Sequence, residues 1–166
     1  MPENTIHEAF IRRTILLAGE AAAAGNHPFG ALLVTDGDII LEAHNTVITG
    51  KDATRHAELN LVSTAYQKFG RGTLSRSTLY TSLEPCPMCA GAIYWAGIPI
   101  VVYGAPGELL TRPEIASPFH IPVREIYAYA SGFPPQVIGP ILEKEASQIH
   151  LDFWPAFLAK FGRHDI

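Results

Sequence analysis

Apolar residues recur along the chain at two periods, and the switches between them divide it into helices and strands. From residue 5 to about 24, Ile6, Phe10, Arg13 or Thr14, and Leu17 share one stripe with an alanine run behind it, and Gly25-Asn26 follows as a stop. This predicts a helix packed on one face. Residues 29–34 and 38–43 are β-rich runs around Asp36-Gly37, a dipeptide suited to a tight antiparallel hairpin. Asp52 or Thr54 can cap a second helix that runs to Phe69 and stops at Gly70, with Leu61, Ala65 and Phe69 four apart on its buried side. Residues 77–82 and the apolar run 98–103 read as strands, and 125–130 as a weaker one. Between the first two, residues 87–96 form a helix opened by proline and closed by Gly97.

The order β-β-α-β-α-β requires crossover connections, so the later strands should be parallel and covered by helices on both faces. The glycine- and proline-rich stretch 104–122 is expected to be a loop or broken helix, and the tail from about 138 to 161 one helix interrupted near Pro155. No internal repeat or low-complexity tract occurs. A length of 166 residues suits one domain, and 48% apolar against 17% charged residues suits a globular one.

Charge changes the picture of partners. The net charge of −4 argues for small or neutral partners and against nucleic acid, whose binders carry a basic surplus. No apolar stretch reaches the roughly 20 residues of a membrane span. The first ten residues carry Glu3 and Glu8 and no basic-then-apolar segment, so a cytoplasmic chain is expected. In that reducing compartment the two cysteines, Cys86 and Cys89, point to metal or redox chemistry before a structural disulfide.

His56 and Glu58 fall in the first turn of one predicted helix, and both cysteines fall at the start of another. Helix N-termini stabilise thiolates, the form that binds metal. Sulfurs three positions apart share a helix face, so His56, Cys86 and Cys89 can supply three corners of a tetrahedron around Zn²⁺, with the fourth open to water. Glu58, two residues from His56, can serve the same pocket as a proton shuttle. Two other readings remain open on the residues alone. One is a redox pair; the other is a closed structural zinc, in a zinc-stabilised interaction module, with His27, His44 or His120 as fourth ligand.

His56-Ala-Glu58 followed thirty residues later by Pro85-Cys-Pro-Met-Cys89 is the signature of zinc-dependent nucleobase deaminases. With Pro28-Phe-Gly-Ala31 and the run from Leu79 to Ala96, the sequence resembles the cytidine deaminase-like superfamily, and within it bacterial guanine deaminases most. It is also similar to tRNA adenosine deaminases over much of the same span. The resemblance covers about residues 6–103. It implies a single deaminase domain over residues 1–166, an α/β fold of three layers, α/β/α, around a mixed five-stranded sheet. It further implies one zinc per subunit on His56, Cys86 and Cys89, Glu58 as catalytic proton shuttle, and a homodimer. The implied reaction is attack of activated water on a ring carbon bearing an exocyclic amine, with release of ammonia.

Asn45 matches a family asparagine that hydrogen-bonds the base, the backbone N–H of Ala57 can meet a ring carbonyl, and Phe29 and Trp95 are candidate stacking groups. In the relatives the sequence resembles, the C-terminal segment closes the pocket of its own or the partner subunit; His150, Phe153, Trp154 and Phe157 can do so here, with burial against the same subunit the expected use of those aromatics. The guanine deaminase pattern expects an acid about 28 positions after the second cysteine, where this chain reads Ile115-Ala-Ser-Pro-Phe-His120 and the nearest acid is Glu114. Without that carboxylate, cytosine, isoguanine, pterins and aminotriazines join guanine as expected substrates, with Phe119 and His120 shaping that wall. A tRNA substrate would need phosphate contacts, and the tail offers only Lys144, Lys160 and Arg163.

Overall fold

The computed structural model describes residues 3–115 and 119–162. Helix α1 (Glu3–Ala23) leads into strands β1 (Gly30–Thr35) and β2 (Asp38–His44), a short helix α2 (Val47–Gly50) and helix α3 (Ala57–Leu74). Strand β3 (Ser77–Leu83), helix α4 (Pro87–Ala96) and strand β4 (Ile100–Ala105) follow. A 3-10 turn (Gly107–Thr111), helix α5 (Val123–Ala128), strand β5 (Gln136–Ile138) and helix α6 (Glu143–Phe161) complete the order. The five strands form one sheet in the order β2-β1-β3-β4-β5. β1 is antiparallel to β2 and β3, whereas β3–β4 and β4–β5 are parallel, so the sheet is mixed as expected.

The hairpin follows from its turn. Asp36 and Gly37 both take positive φ (54° and 90°), the pair of conformations that matches a two-residue loop to the strand twist, and Thr35 pairs with Asp38 across it. Side chains alternate across the sheet with period two. Ala31, Leu33, Leu79 and Val101 pack with Leu61 and Ala65 of α3 and Ile93 of α4. Leu32, Val34, Tyr80 and Val102 face the other way, against Ile11 and Leu17 of α1. Helices therefore cover both faces, giving the three layers α/β/α.

Gly30 sets how closely α1 approaches the sheet. A Cβ there would collide with the Thr14 carbonyl oxygen and lie 2.7 Å from the Ala18 nitrogen, both backbone atoms of α1. Gly30→Ala must push the helix outward, and overpacking of this kind costs about 1–3 kcal/mol or more. A lowered melting temperature in calorimetry checks it; an unchanged one contradicts it.

Several elements differ from the sequence reading. The buried stripe of α1 is Ile11, Thr14, Leu17, Ala18 and Ala21, and Ile6 is exposed. α3 is capped by His56 rather than by Asp52 or Thr54, because the Asp52 carboxylate accepts from the Thr54 N–H and hydroxyl in the preceding turn. Its backbone breaks at Gly70 (φ 70°) as expected, then resumes for one more turn. Residues 123–128 are a helix, not a strand: Val123 and Tyr127, four apart, are both buried, and the last strand is the three-residue β5 instead. α6 begins at Glu143 and continues through Pro155, which removes one backbone donor, while Phe153, Trp154 and Phe157 on either side of it in the chain pack against one another. Among the described residues, no helix is long and apolar enough to cross a membrane.

Candidate active site

β2 and β3 run in the same direction, so the chain leaves both at one end of the sheet, next to the start of β1. From the end of β2 it reaches His56, the N-cap of α3; from the end of β3 it reaches Cys86, the N-cap of α4. Both caps have extended backbone and no side-chain cap hydrogen bond, which leaves the imidazole and the thiol free to face each other. The approach to α3 is fixed by Asn60, whose amide nitrogen donates to the carbonyls of His44 and Arg55 and to Thr46. The approach to α4 is fixed by buried Glu84, whose two carboxylate oxygens each accept one backbone N–H at 2.9 Å, from Gly107 and Val123.

His56 Nδ1 lies 3.6 Å from the Sγ of Cys86 and 3.6 Å from the Sγ of Cys89. The ligand atoms of these three residues all lie within 4.8 Å of one another, and this is the group of metal-ligating side chains found among the described residues. In a tetrahedral site with Zn–S about 2.3 Å and Zn–N about 2.0–2.1 Å, nitrogen and sulfur stand about 3.6 Å apart, so the spacing fits zinc. One imidazole and two thiols are also a donor set of suitable softness. His27, His44 and His120 do not join the group, so the described residues supply three ligands and no fourth.

The electrostatics couple these groups. The Cys86 thiol is pushed down to about 4, first by the hydrogen bond with Cys89 and also by His56. The Cys89 thiol is correspondingly pushed up, by that shared hydrogen bond and by its burial. Burial opposes charge on His56, but Cys86 and Glu58 outweigh it and its pKa is raised. Glu58 is buried beside the cluster, and desolvation raises its carboxyl pKa. Its Oε1 accepts from the Thr81 hydroxyl at 3.0 Å, and its Oε2 lies 3.6 Å from Cys89 Sγ.

These groups open on a cavity of about 380 Å³, a volume in the range of small-molecule sites. His56, Glu58 and Cys86 line one part of it, and Phe29, Val47, Leu83, Leu110, Phe119 and Trp154 supply apolar walls. A larger groove of about 560 Å³ lies between the 3-10 turn and α6, but it contains none of the ligand residues, so chemistry rather than size selects the site.

The sequence-predicted contacts separate on this geometry. Phe29 lines the cavity with its ring parallel to His56, centroids 6.5 Å apart. Asn45 is 1% exposed; its Oδ1 accepts from the Val47 N–H, and its Nδ2 has no partner. Neither it nor Ala57 is among the lining residues, though Asn45 is hydrogen-bonded to lining Val47 and Ala57 lies between lining His56 and Glu58. Trp95 is 75% exposed and lies outside the cavity, edge-on to Tyr94. Of the C-terminal group, Trp154 lines the cavity, buried His150 sits behind Phe29 at 5.2 Å, and Phe153 and Phe157 pack on Trp154. Phe119 lines the cavity, His120 packs over Gly107 beside Glu84, and Glu114 is exposed. Positions 116–118, where the expected acid would fall, and Arg163 lie outside the described residues. Sequence reasoning missed Val47 and Leu110 as lining residues, and nothing in their local pattern singles them out; it weighed His27 only as a metal ligand.

Comparison with known proteins agrees with this geometry. Residues 4–105 match the family model described as the cytidine and deoxycytidylate deaminase zinc-binding region. The chain is 40% identical over 151 residues to a probable cytosine deaminase of Schizosaccharomyces pombe, covering 88% of this chain and 91% of that one. It is 49% identical over 100 residues to the guanine deaminase of Bacillus subtilis, covering 60% of this chain and 64% of the relative. A solved structure from a study of tRNA:A34 deaminases superposes with a TM-score of 0.70 at 30% identity, over 85% of this chain and 98% of that one. With the family model matching most of its length and the three zinc ligands assembled, the chain belongs to the cytidine and deoxycytidylate deaminase zinc-binding family.

Proposed function

We propose that the protein is a hydrolytic deaminase of free nucleobases or related amino-heterocycles, with guanine, cytosine and aminotriazine-like rings as the substrate class. The observation that carries this reading is the buried carboxyl of Glu58 beside three zinc ligands in a cavity whose lining, among the described residues, includes no lysine or arginine. Such a lining suits an uncharged planar ring and offers nothing to a phosphate. Among the described residues, the basic groups Lys144 and Lys160 of α6 stand with Glu143, Glu145 and Asp152, a poor phosphate surface that weighs against the tRNA reading.

Zinc in this site supplies Lewis acidity and brings the ionisation of water close to neutral pH. Glu58 is placed to move protons. As the carbon–oxygen bond forms, its carboxylate takes a proton from water and passes it to the ring nitrogen beside the attacked carbon. It then carries the second proton to the exocyclic amine as the carbon–nitrogen bond breaks. The oxygen of water becomes the product carbonyl, and both its protons are accounted for, one on the ring nitrogen and one in ammonia. Thr81 holds the carboxyl in place. Phe29 offers a ring face to the substrate, while Asn45 Nδ2 and the Ala57 N–H, free at the first position of α3, offer donors at its edge. The solvent-facing Trp95 and its neighbour Tyr94 support a homodimer packed on α4, and we place the enzyme in the cytoplasm.

An ammonia-release screen over guanine, cytosine, adenine, isoguanine, pterin and aminotriazine tests the reading. Zinc-loaded protein is expected to act on at least one free ring and to leave tRNA unchanged. Inosine formation in tRNA with no activity on free rings would reverse the assignment.

A further inference from the structure

His27 lines the cavity, is 6% exposed, and its Nε2 is buried without a hydrogen-bond partner. An orphaned buried polar atom of this kind is costly unless something fills its valence. The ring packs into a cluster with two aromatics of α6, whose own centroids are 5.7 Å apart. Trp154 lies 5.2 Å from it and Phe157 5.4 Å, edge-on. The backbone is pinned as well: the His27 carbonyl accepts from the Phe29 N–H, and the carboxamide oxygen of the adjacent Asn26 accepts from the N–H groups of Ile48 and Thr49. Ring contacts run continuously from His56 through Phe29 and Trp154 to His27, so this imidazole belongs to the same chamber as the zinc ligands without being one of them.

Side-chain donors are few among the described residues that line the chamber. Besides His56 and Cys86 of the metal-ligating group, the polar side chains lining it among the described residues are Glu58, Glu84 and His27. Both carboxylates accept hydrogen bonds, and the two oxygens of Glu84 are already occupied by backbone N–H groups. A ring carbonyl has two lone pairs to satisfy, so a planar amino-heterocycle that carries one can use a side-chain donor in addition to the Asn45 and Ala57 donors at its edge. We propose that His27 Nε2–H is this donor, making His27 a specificity residue that selects heterocycles carrying a ring carbonyl over analogues with hydrogen in its place. Burial and the neighbouring His56 hold the His27 ring neutral, lowering its pKa to about 4, so it reads the substrate as a dipole and does not demand an anion.

This inference rests on the deaminase reading above, and one experiment separates the two. Steady-state kinetics would compare wild type, His27→Phe and His27→Gln on matched pairs, cytosine with 4-aminopyrimidine and guanine with 2-aminopurine. Zinc content and melting temperature of each protein are measured alongside. Loss of a buried hydrogen bond to substrate raises KM for the carbonyl-bearing ring by about 10–100-fold in His27→Phe, with kcat within about threefold. The pair member lacking the carbonyl should be unaffected, and His27→Gln, which keeps a donor, should recover most of the loss. If His27→Phe fails to fold, His27→Leu supplies the same loss in a smaller side chain. Equal KM in wild type and variant, or an equal change for both members of a pair, overturns the role of His27 while leaving the deaminase reading intact. A zinc-loaded wild type that releases no ammonia from any ring overturns both.

Discussion

Replacing Glu58 by glutamine should leave one zinc per chain and lower turnover by about 10²–10⁴-fold, the range in which a positioned acid–base group contributes. The side chain lies beside the metal-ligating group but is not part of it, so its loss should spare the metal. Glutamine keeps the shape and can still accept the Thr81 hydroxyl, yet it cannot take a proton from water and return it. Glu58 is buried and reached by Thr81 on one oxygen and Cys89 on the other. Glu84, the other carboxylate of the cavity, is committed to Gly107 and Val123. Ammonia release with metal analysis on the same preparation checks the prediction. A variant with wild-type turnover would remove Glu58 from the chemistry, and a variant without zinc would make it a structural support of the site.

Replacing Cys89 by serine should have the opposite metal signature: zinc lost and activity with it. Cys89 is fully buried on the inner side of α4, and His56 Nδ1 stands at equal distance from its sulfur and that of Cys86. With one sulfur gone, two protein ligands remain, too few for a site that already provides only three among the described residues. Activity should fall by at least about 10²-fold, because the Lewis acid and the water it activates leave together. Zinc per chain after dialysis, measured beside wild type, checks this. Full retention of zinc would mean that the ligand set is different.

The difference between these two variants reflects how the site was legible in the sequence. His56, Glu58, Cys86 and Cys89 sit at or just inside helix starts, where spacing along the chain dictates which side chains share a face, so local pattern singles them out and the family resemblance joins the two helix starts into one site. The Asp36-Gly37 turn was equally legible, because few residues tolerate its two positive φ angles. Where the reading went astray, tertiary packing decided the outcome. The six residues of α5 carry as many β-prone as helix-prone side chains, and burial of Val123 and Tyr127, four apart, against Ala90 and Tyr103 favours the helix. Strand β5 is three residues long and forms because β4 offers it an edge. The same holds for the far wall of the cavity. His27 precedes β1 and Trp154 lies in α6, and no periodicity links them. They meet because α6 folds back over the start of β1, a long-range contact that a local pattern cannot report.

The most direct test of the account is to determine zinc and ammonia release together on wild type, Glu58→Gln and Cys89→Ser. The account predicts one zinc with turnover, one zinc with turnover nearly abolished, and no zinc with no turnover, in that order. Turnover by Glu58→Gln at the wild-type rate, or an active wild type free of zinc, would contradict it.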